Sequence, residues 1–359
     1  MRKHLWRWAV VAIAALGLSV LAAGCGGGGE EKAQTTTAGG TGTAGGGGGG
    51  GKAIKVGLVT DIGGLNDKSF NHLAYLGLQR AQAQLGATGK VLESHANSDY
   101  IPNLSTLAKQ NYDLVVGVGF LMADAIDTVA TKFPDVNFAI IDFPNVALKH
   151  KPKNVRGLVF KEQEAGYLVG YLAGLLVKQE SGSKNTVASV GGQKIPPVDH
   201  YIAGYQFGAK QADAQVKTLN GYSQDFVDQA KCKEIALNQI SQGSSVEFQV
   251  AGGCGLGALD AANEKNVWGI GVDADQAYLG PHILTSALKK VDVAVFDTIK
   301  SAQDGSFAGG EDTVFDAKNG GVGIGKINSK VPQEIVSKVR AQEQKLSNGQ
   351  VTGIPDTVK

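Results

Sequence analysis

The chain has 359 residues, and its 34 Lys plus Arg against 33 Asp plus Glu leave a net charge of +1. With no basic stripe, that balance argues against nucleic acid as a partner. The three cysteines, Cys25, Cys232 and Cys254, are too few for a disulfide framework or a thiolate zinc centre.

The first residues set an address. Arg2, Lys3 and Arg7 form a positive start, and residues 9–23 follow without a charge and end in Ala22-Ala23-Gly24-Cys25. This is the layout of a secretory signal over residues 1–24. Its apolar run is short for about 30 Å of hydrocarbon. The small residues before Cys25 resemble a bacterial lipobox, although Leu21 stands one place upstream of the strictest form. Lipidation of Cys25 is therefore expected, the alternative being an ordinary signal with an incidental cysteine. Residues 26–51 hold 14 of the 51 glycines and no aromatic residue. Such a segment buries too little apolar surface to order itself. It reads as a tether reaching roughly 25–30 Å. The expectation is a soluble module held at the outer face of a cell membrane.

Residues 52–359 suit about two domains. Short apolar runs at 53–60, 114–119 and 137–142 alternate with helical spacing, as in Leu73, Leu76, Gly77, Ala81 and Leu85 over Phe70–Leu85. The pattern restarts after residue 160, with an all-round apolar helix at 165–177. Further strands are expected at 186–190, around 221–226, at 246–251 and at 267–272. Strands alternating with helices indicate parallel sheets, and a repeated unit indicates two α/β lobes with a cleft. Ligands in such folds bind beyond the carboxyl ends of the strands.

Polar and aromatic groups gather at those ends. Asp61-Ile62-Gly63-Gly64-Leu65-Asn66-Asp67-Lys68-Ser69-Phe70-Asn71 follows the first strand, Asp142 the third, Phe226 with Asp225 and Asp228 a later one, and Gly271-Val272-Asp273 closes another. Any one aspartate can simply cap the next helix. Several of them, with two phenylalanines, suit a neutral, hydroxylated, aromatic ligand: carboxylates accept from hydroxyl and ring N–H groups, and phenyl faces stack. An anion would call for basic groups and open helix N-termini.

A specific resemblance follows. Lys55-Val56-Gly57-Leu58-Val59-Thr60-Asp61 with Gly64-Leu65-Asn66-Asp67-Lys68-Ser69-Phe70-Asn71 resembles the opening of the basic membrane protein family, the substrate-binding lipoproteins of ABC transporters. Val198-Asp199-His200-Tyr201-Ile202-Ala203-Gly204-Tyr205, Ala251-Gly252-Gly253, Gly271-Val272-Asp273-Ala274-Asp275-Gln276 and Leu284-Thr285-Ser286 running to Lys289 and Asp292 continue it, in order, from residue 54 onward. The resemblance implies a type I periplasmic binding protein: two Rossmann-like lobes crossed three times by the chain at a hinge. Lobe 1 would be 52–160 plus about 281–314, and lobe 2 would be 161–280 plus about 315–359. It implies a helix over 289–304 returning to lobe 1, and a C-terminal helix near 332–346 in lobe 2.

The resemblance also implies a ligand, a purine nucleoside, delivered by a monomer to an ABC permease without a cofactor. Phe70 and Phe226 would sandwich the purine, and Asp142 would accept from the base. Asn66, Asp67, Asp273 and Lys289 would hold the ribose, with the Gly252-Gly253 backbone closing in and Asp61 beside them. Tyr222-Ser223-Gln224-Asp225 departs from the family pattern before Phe226. Cys232 and Cys254 stand where the family has small residues. Placed on one edge of the lobe 2 sheet, they are expected to pair, the alternative being two free thiols. A flavin or a sugar in the same cleft, or a sensor role, are the other readings. No acid/base pair, nucleophile elbow or metal spacing among the six histidines supports an enzyme. Gly320-Gly321-Val322-Gly323-Ile324-Gly325 lacks the Lys-Ser/Thr of a phosphate loop and reads as a strand.

Overall fold

The computed structural model describes residues 53–179 and 185–358. The expected signal, the lipidation site Cys25 and the tether lie outside them. No helix among the described residues is long and apolar enough to cross a membrane.

In lobe 1, β1 (Lys55–Val59), β2 (Thr88–Leu92), β3 (Leu114–Gly117), β4 (Asn137–Ile141) and β5 (Val155–Phe160) alternate with α1 (Phe70–Leu85), α2 (Tyr100–Lys109) and α3 (Ala123–Lys132). Lobe 2 follows with α4 (Glu162–Gln179), β6 (Thr186–Gly191), α5 (Pro196–Ala212), β7 (Lys217–Tyr222), α6 (Gln229–Ser241), β8 (Ser244–Val250), α7 (Gly252–Glu264), β9 (Trp268–Asp273) and β10 (Ile283–Lys289). The remainder is α8 (Val291–Gln303), β11 (Asp312–Phe315), β12 (Val322–Ile324) and α9 (Gln333–Ser347).

The sheets run β11-β5-β4-β3-β1-β2 and β12-β10-β9-β8-β6-β7, parallel except where β12 lies antiparallel on β10. β3, and β4 beyond its first residue Asn137, are apolar and buried throughout, as suits strands covered by helices on both faces. The fold is the two-lobed α/β arrangement read from the sequence. α1 begins and ends where the spacing places it, because Gly86 takes φ +67° and returns its N–H to Ala81 O. α4 is buried almost all round, as its composition implies. It lies backbone to backbone with α5: a Cβ at Gly170 would stand 2.1 Å from Tyr205 O.

Two expectations are corrected. The strand expected around 221–226 is β7 and stops at Tyr222, leaving Phe226 in a loop. Gln224 there adopts φ +55°, and Asp225 accepts from the N–H groups of Val227 and Asp228, which turns the chain. The segment 283–289 does not open lobe 1. It is β10, paired in parallel with β9, so the chain returns only after Lys289, which ends a strand rather than starting a helix.

The chain passes between the sheets at 160–162, 289–291 and 315–322. These crossings are laced together: Lys161 Nζ lies 3.0 Å from Asp316 Oδ2, Ala317 N–H donates to Glu164 Oε2 at 2.7 Å, and Lys290 N–H donates to Gly321 O at 2.9 Å.

Candidate functional site

A cavity opens between the carboxyl ends of the two sheets. Of the residues singled out from the sequence, Asp61, Asp67, Phe70, Asp142, Phe226, Gly252, Asp273 and Lys289 line it. Gly253 sits just behind, where a Cβ would lie 3.3 Å from Phe226 O and 3.8 Å from Asp67 Cα. Asn66 is exposed and is not brought to the cavity. Its neighbour Asp67 takes the inward place instead, because the start of α1 needs its carboxylate.

Asp67 accepts from the N–H groups of Ser69 (3.0 Å), Asn71 (2.7 Å) and His72 (3.1 Å), satisfying donors that the first turn of α1 leaves open. Asn71 ties it to Asp61: its Nδ2 donates to Asp61 Oδ1 at 2.7 Å and to Asp67 Oδ2 at 3.1 Å. Asp61 Oδ1 also accepts from Gly63 N–H at 2.8 Å. Burial pushes Asp61 up to about 6 and raises Asp67 as well, against the pull of these donors.

Asp142, directly after β4, and Asp273, the last residue of β9, lie in left-handed backbone, with φ +68° and +60°. Aspartate tolerates this region better than most residues, and such outliers gather at functional sites. The turn swings each carboxylate into the cleft. Asp273 accepts from Ser69 Oγ at 2.8 Å, across the cleft, and from Tyr201 OH at 3.0 Å. Burial raises its pKa, with Lys289 and these donors opposing.

Lys289 Nζ stands 2.6 and 2.7 Å from the two oxygens of Asp142 and 2.9 Å from Glu162 Oε1. It also lies 5.0 Å from the Phe70 ring centre and 4.9 Å from that of Phe160. Burial lowers the Lys289 pKa, but Asp142 and Glu162 more than reverse this and keep it charged. Burial and the nearby Glu162 raise Asp142, and Lys289 pulls it back. The resemblance had put Asp142 on the base and Lys289 on the ribose. Their direct contact instead joins them into one polar unit.

Phe226 is held from lobe 2. Its carbonyl accepts from Cys254 N–H at 3.0 Å, and its ring covers Gly192, where a Cβ would meet Phe226 Cε1 at 2.3 Å. Cys232 and Cys254, in the first turns of α6 and α7, are joined by a disulfide with Cα atoms 5.6 Å apart. Sequence reasoning missed Asn71, Glu162 and Tyr201. Tyr201 stood in a motif already singled out, and Asn71 closed another. Glu162 had no signal beyond being an acid at the head of an apolar helix. No group of three or more His, Cys, Asp or Glu among the described residues is placed to hold a metal ion.

The model of the PnrA-like ABC transporter substrate-binding proteins, the Bmp family, matches residues 54–356. The chain belongs to this family. Its function is accordingly that of a substrate-binding protein of an ABC transporter, a solute binder and not an enzyme. An uncharacterised lipoprotein of Pyrococcus horikoshii is 36% identical over 322 residues, covering 82% of this chain and 78% of its own length. The ABC transporter nucleoside-binding protein BmpA of Lactococcus lactis is 33% identical over 321 residues, 83% of this chain and 88% of its own. A crystal structure of an ABC transporter solute-binding protein from Aeropyrum pernix superposes with a TM-score of 0.74 at 28% identity, covering 84% of this chain and 94% of that one. The two-lobed Bmp fold thus comes with a cleft built to hold a small molecule.

Proposed function

We propose that this Bmp protein captures a purine nucleoside between its lobes and delivers it to an ABC permease, held at the membrane by a lipid on Cys25. The observation that carries the reading is the make-up of the cavity wall. Phe70 from lobe 1 and Phe226 from lobe 2 line it, together with Asp61, Asp67, Asp142 and Asp273. Those carboxylates offer acceptors for ribose hydroxyls and base N–H groups. The one lysine in the wall, Lys289, is neutralised by Asp142 and Glu162, so nothing there favours an anion. The nucleoside-binding relative and the lipoprotein name of another agree with this reading. The mechanism is lobe closure, since contacts to both lobes stabilise the closed form.

The test is calorimetry of the purified protein with inosine, guanosine and adenosine, beside riboflavin and a panel of sugars, together with mass spectrometry of any ligand released on mild denaturation. Micromolar or tighter nucleoside binding, with the ligand recovered unchanged, is expected. Heat only with riboflavin or a sugar would reject the nucleoside. Radiolabelled acylation lost in Cys25→Ser tests the anchor.

A further inference from the structure

Four polar groups run in file from the cavity wall towards the surface. Asp142 follows β4 in lobe 1 and meets Lys289, the last residue of β10. Lys289 meets Glu162 Oε1 at 2.9 Å, and Glu162 Oε2 in turn lies 3.0 Å from His200 Nδ1 on α5. The Glu162 and Lys289 side chains are each 2% exposed and that of His200 is 29% exposed, so the file ends at water. Glu162 and Lys289 both sit where the chain crosses between lobes. The file therefore joins the hinge to the ligand cavity.

Glu162 is held at both oxygens, one by Lys289 and one by His200. A buried carboxylate oxygen left without a donor is costly, which strongly favours any rotation or protonation that relieves it. Lys289 is a flexible four-carbon stem with three donors and no geometry of its own. Asp142 Oδ2 and Glu162 Oε1 each accept one hydrogen bond, with Asp142 Oδ1 only in ion-pair contact, which leaves one donor directed by the other two. Whatever fixes the Glu162 carboxylate thus fixes where that last donor points. We propose that His200 is a positioning residue of the ligand site, acting through Glu162 to hold the Lys289 ammonium at the cavity wall. The groups facing the ring agree. Burial disfavours its charge, and Lys289 adds to that, but Glu162 and Asp356 of the C-terminal segment outweigh both and raise its pKa. The inference rests on the reading of the cavity as a nucleoside site, so its test carries one readout that needs no ligand.

The experiment compares the full-length wild type with His200→Phe and His200→Asn. It reads inosine affinity by calorimetry and, without ligand, the ¹⁵N ammonium resonance of Lys289, assigned through its loss in Lys289→Met. Phenylalanine removes the donor. Asparagine puts an Nδ2–H near the place of Nδ1–H. His200→Phe is expected to shift or broaden the resonance and weaken binding roughly tenfold, the scale of one hydrogen bond to a charged group. His200→Asn is expected to restore both to near wild type. An unmoved resonance and unchanged affinity in His200→Phe would overturn the proposal. So would equal losses in both variants accompanied by equal falls in melting temperature, the mark of a merely structural histidine. A wild type that ignores inosine while its ammonium still answers to His200 would reject the nucleoside and uphold the relay. A wild type that binds inosine with an indifferent ammonium would reject the relay alone.

Discussion

Lobe 1 runs β2-β1-β3-β4-β5 and lobe 2 runs β7-β6-β8-β9-β10, so each strand end in one lobe has a counterpart in the other. The fourth strands end alike, at Asp142 and Asp273, both in left-handed backbone. Glycines of positive φ, Gly119 and Gly252, follow the third strands in both lobes. Elsewhere the lobes part. Asp61 follows the first strand of lobe 1, whereas Gly192 follows that of lobe 2 and leaves room for the Phe226 ring. At the ends of the fifth strands, Lys161 just past β5 is 43% exposed while Lys289, the last residue of β10, is 2% exposed. The shared features are backbone devices that aim a carboxylate into the cleft. The differences are in side-chain chemistry. Lobe 1 supplies acceptors already knotted through Asn71, while lobe 2 supplies the cation and a ring on a disulfide-tied ledge.

The largest expected effect breaks the link between the lobes. Lys289→Met leaves Asp142 and Glu162 buried without their partner, and removing one member of a buried pair typically costs about 3–5 kcal/mol. Chemical denaturation should show that loss. A midpoint unchanged from wild type would mean that the lobes are joined by packing and not by this charge.

Next comes the ledge. The disulfide closes a loop with a sequence separation of 22, and constraining the unfolded chain over such a loop is worth about 3 kcal/mol. Cys232→Ser with Cys254→Ser should lower stability by that order and weaken binding by freeing Phe226, whose carbonyl rests on Cys254 N–H. Wild-type stability under reducing conditions would count against it.

How much of this the sequence disclosed follows the same division. Backbone devices were legible: apolar runs ending on Asp142 and Asp273, and the bounds of α1, follow from local pattern and turn chemistry. Which of Asn66 and Asp67 turns inward was not, because it depends on where the open N–H groups of α1 point. The end of β7 was misplaced because the turn at 223–228 is made by side-chain bonds of Ser223 and Asp225. The lobe of β10 was misplaced because only its pairing with β9 and β12 decides it. Glu162 and His200 are 38 residues apart and meet only in the folded hinge.

A smaller effect sharpens the shared feature. Asp273→Asn keeps a residue that accepts left-handed backbone, so it isolates the carboxylate; Asp273→Ala adds backbone strain of about 1 kcal/mol. Inosine binding should weaken by about 1–3 kcal/mol in Asp273→Asn. Calorimetry of both variants separates the terms, and equal, wild-type affinity in both would mean that Asp273 serves only Ser69 and Tyr201.

The gentlest test concerns a carboxyl away from the cleft, where the lobes again differ. In lobe 1, buried Asp127 has His150 Nδ1 at 2.6 Å. In lobe 2, Glu247 on β8 is fully buried, and neither of its oxygens has a hydrogen-bond partner among the described residues. The nearby Ser244 hydroxyl donates to Val246 O instead. Burial pushes Glu247 up to about 8. The unfolded chain releases this proton near pH 4.5, while the folded chain keeps it until about pH 8. Between those limits the native state binds more protons, so stability falls as pH rises, by about 1.4 kcal/mol per unit at most, and levels off above. The cavity carboxylates Asp61, Asp67, Asp142 and Asp273 slope the same way, so the readout is the difference between wild type and Glu247→Gln. Urea midpoints at pH 5, 6.5 and 8 should draw closer together in the variant, because glutamine has no proton to lose. Parallel pH profiles would mean that Glu247 finds a partner in solution, and that lobe 2 is as well satisfied there as lobe 1.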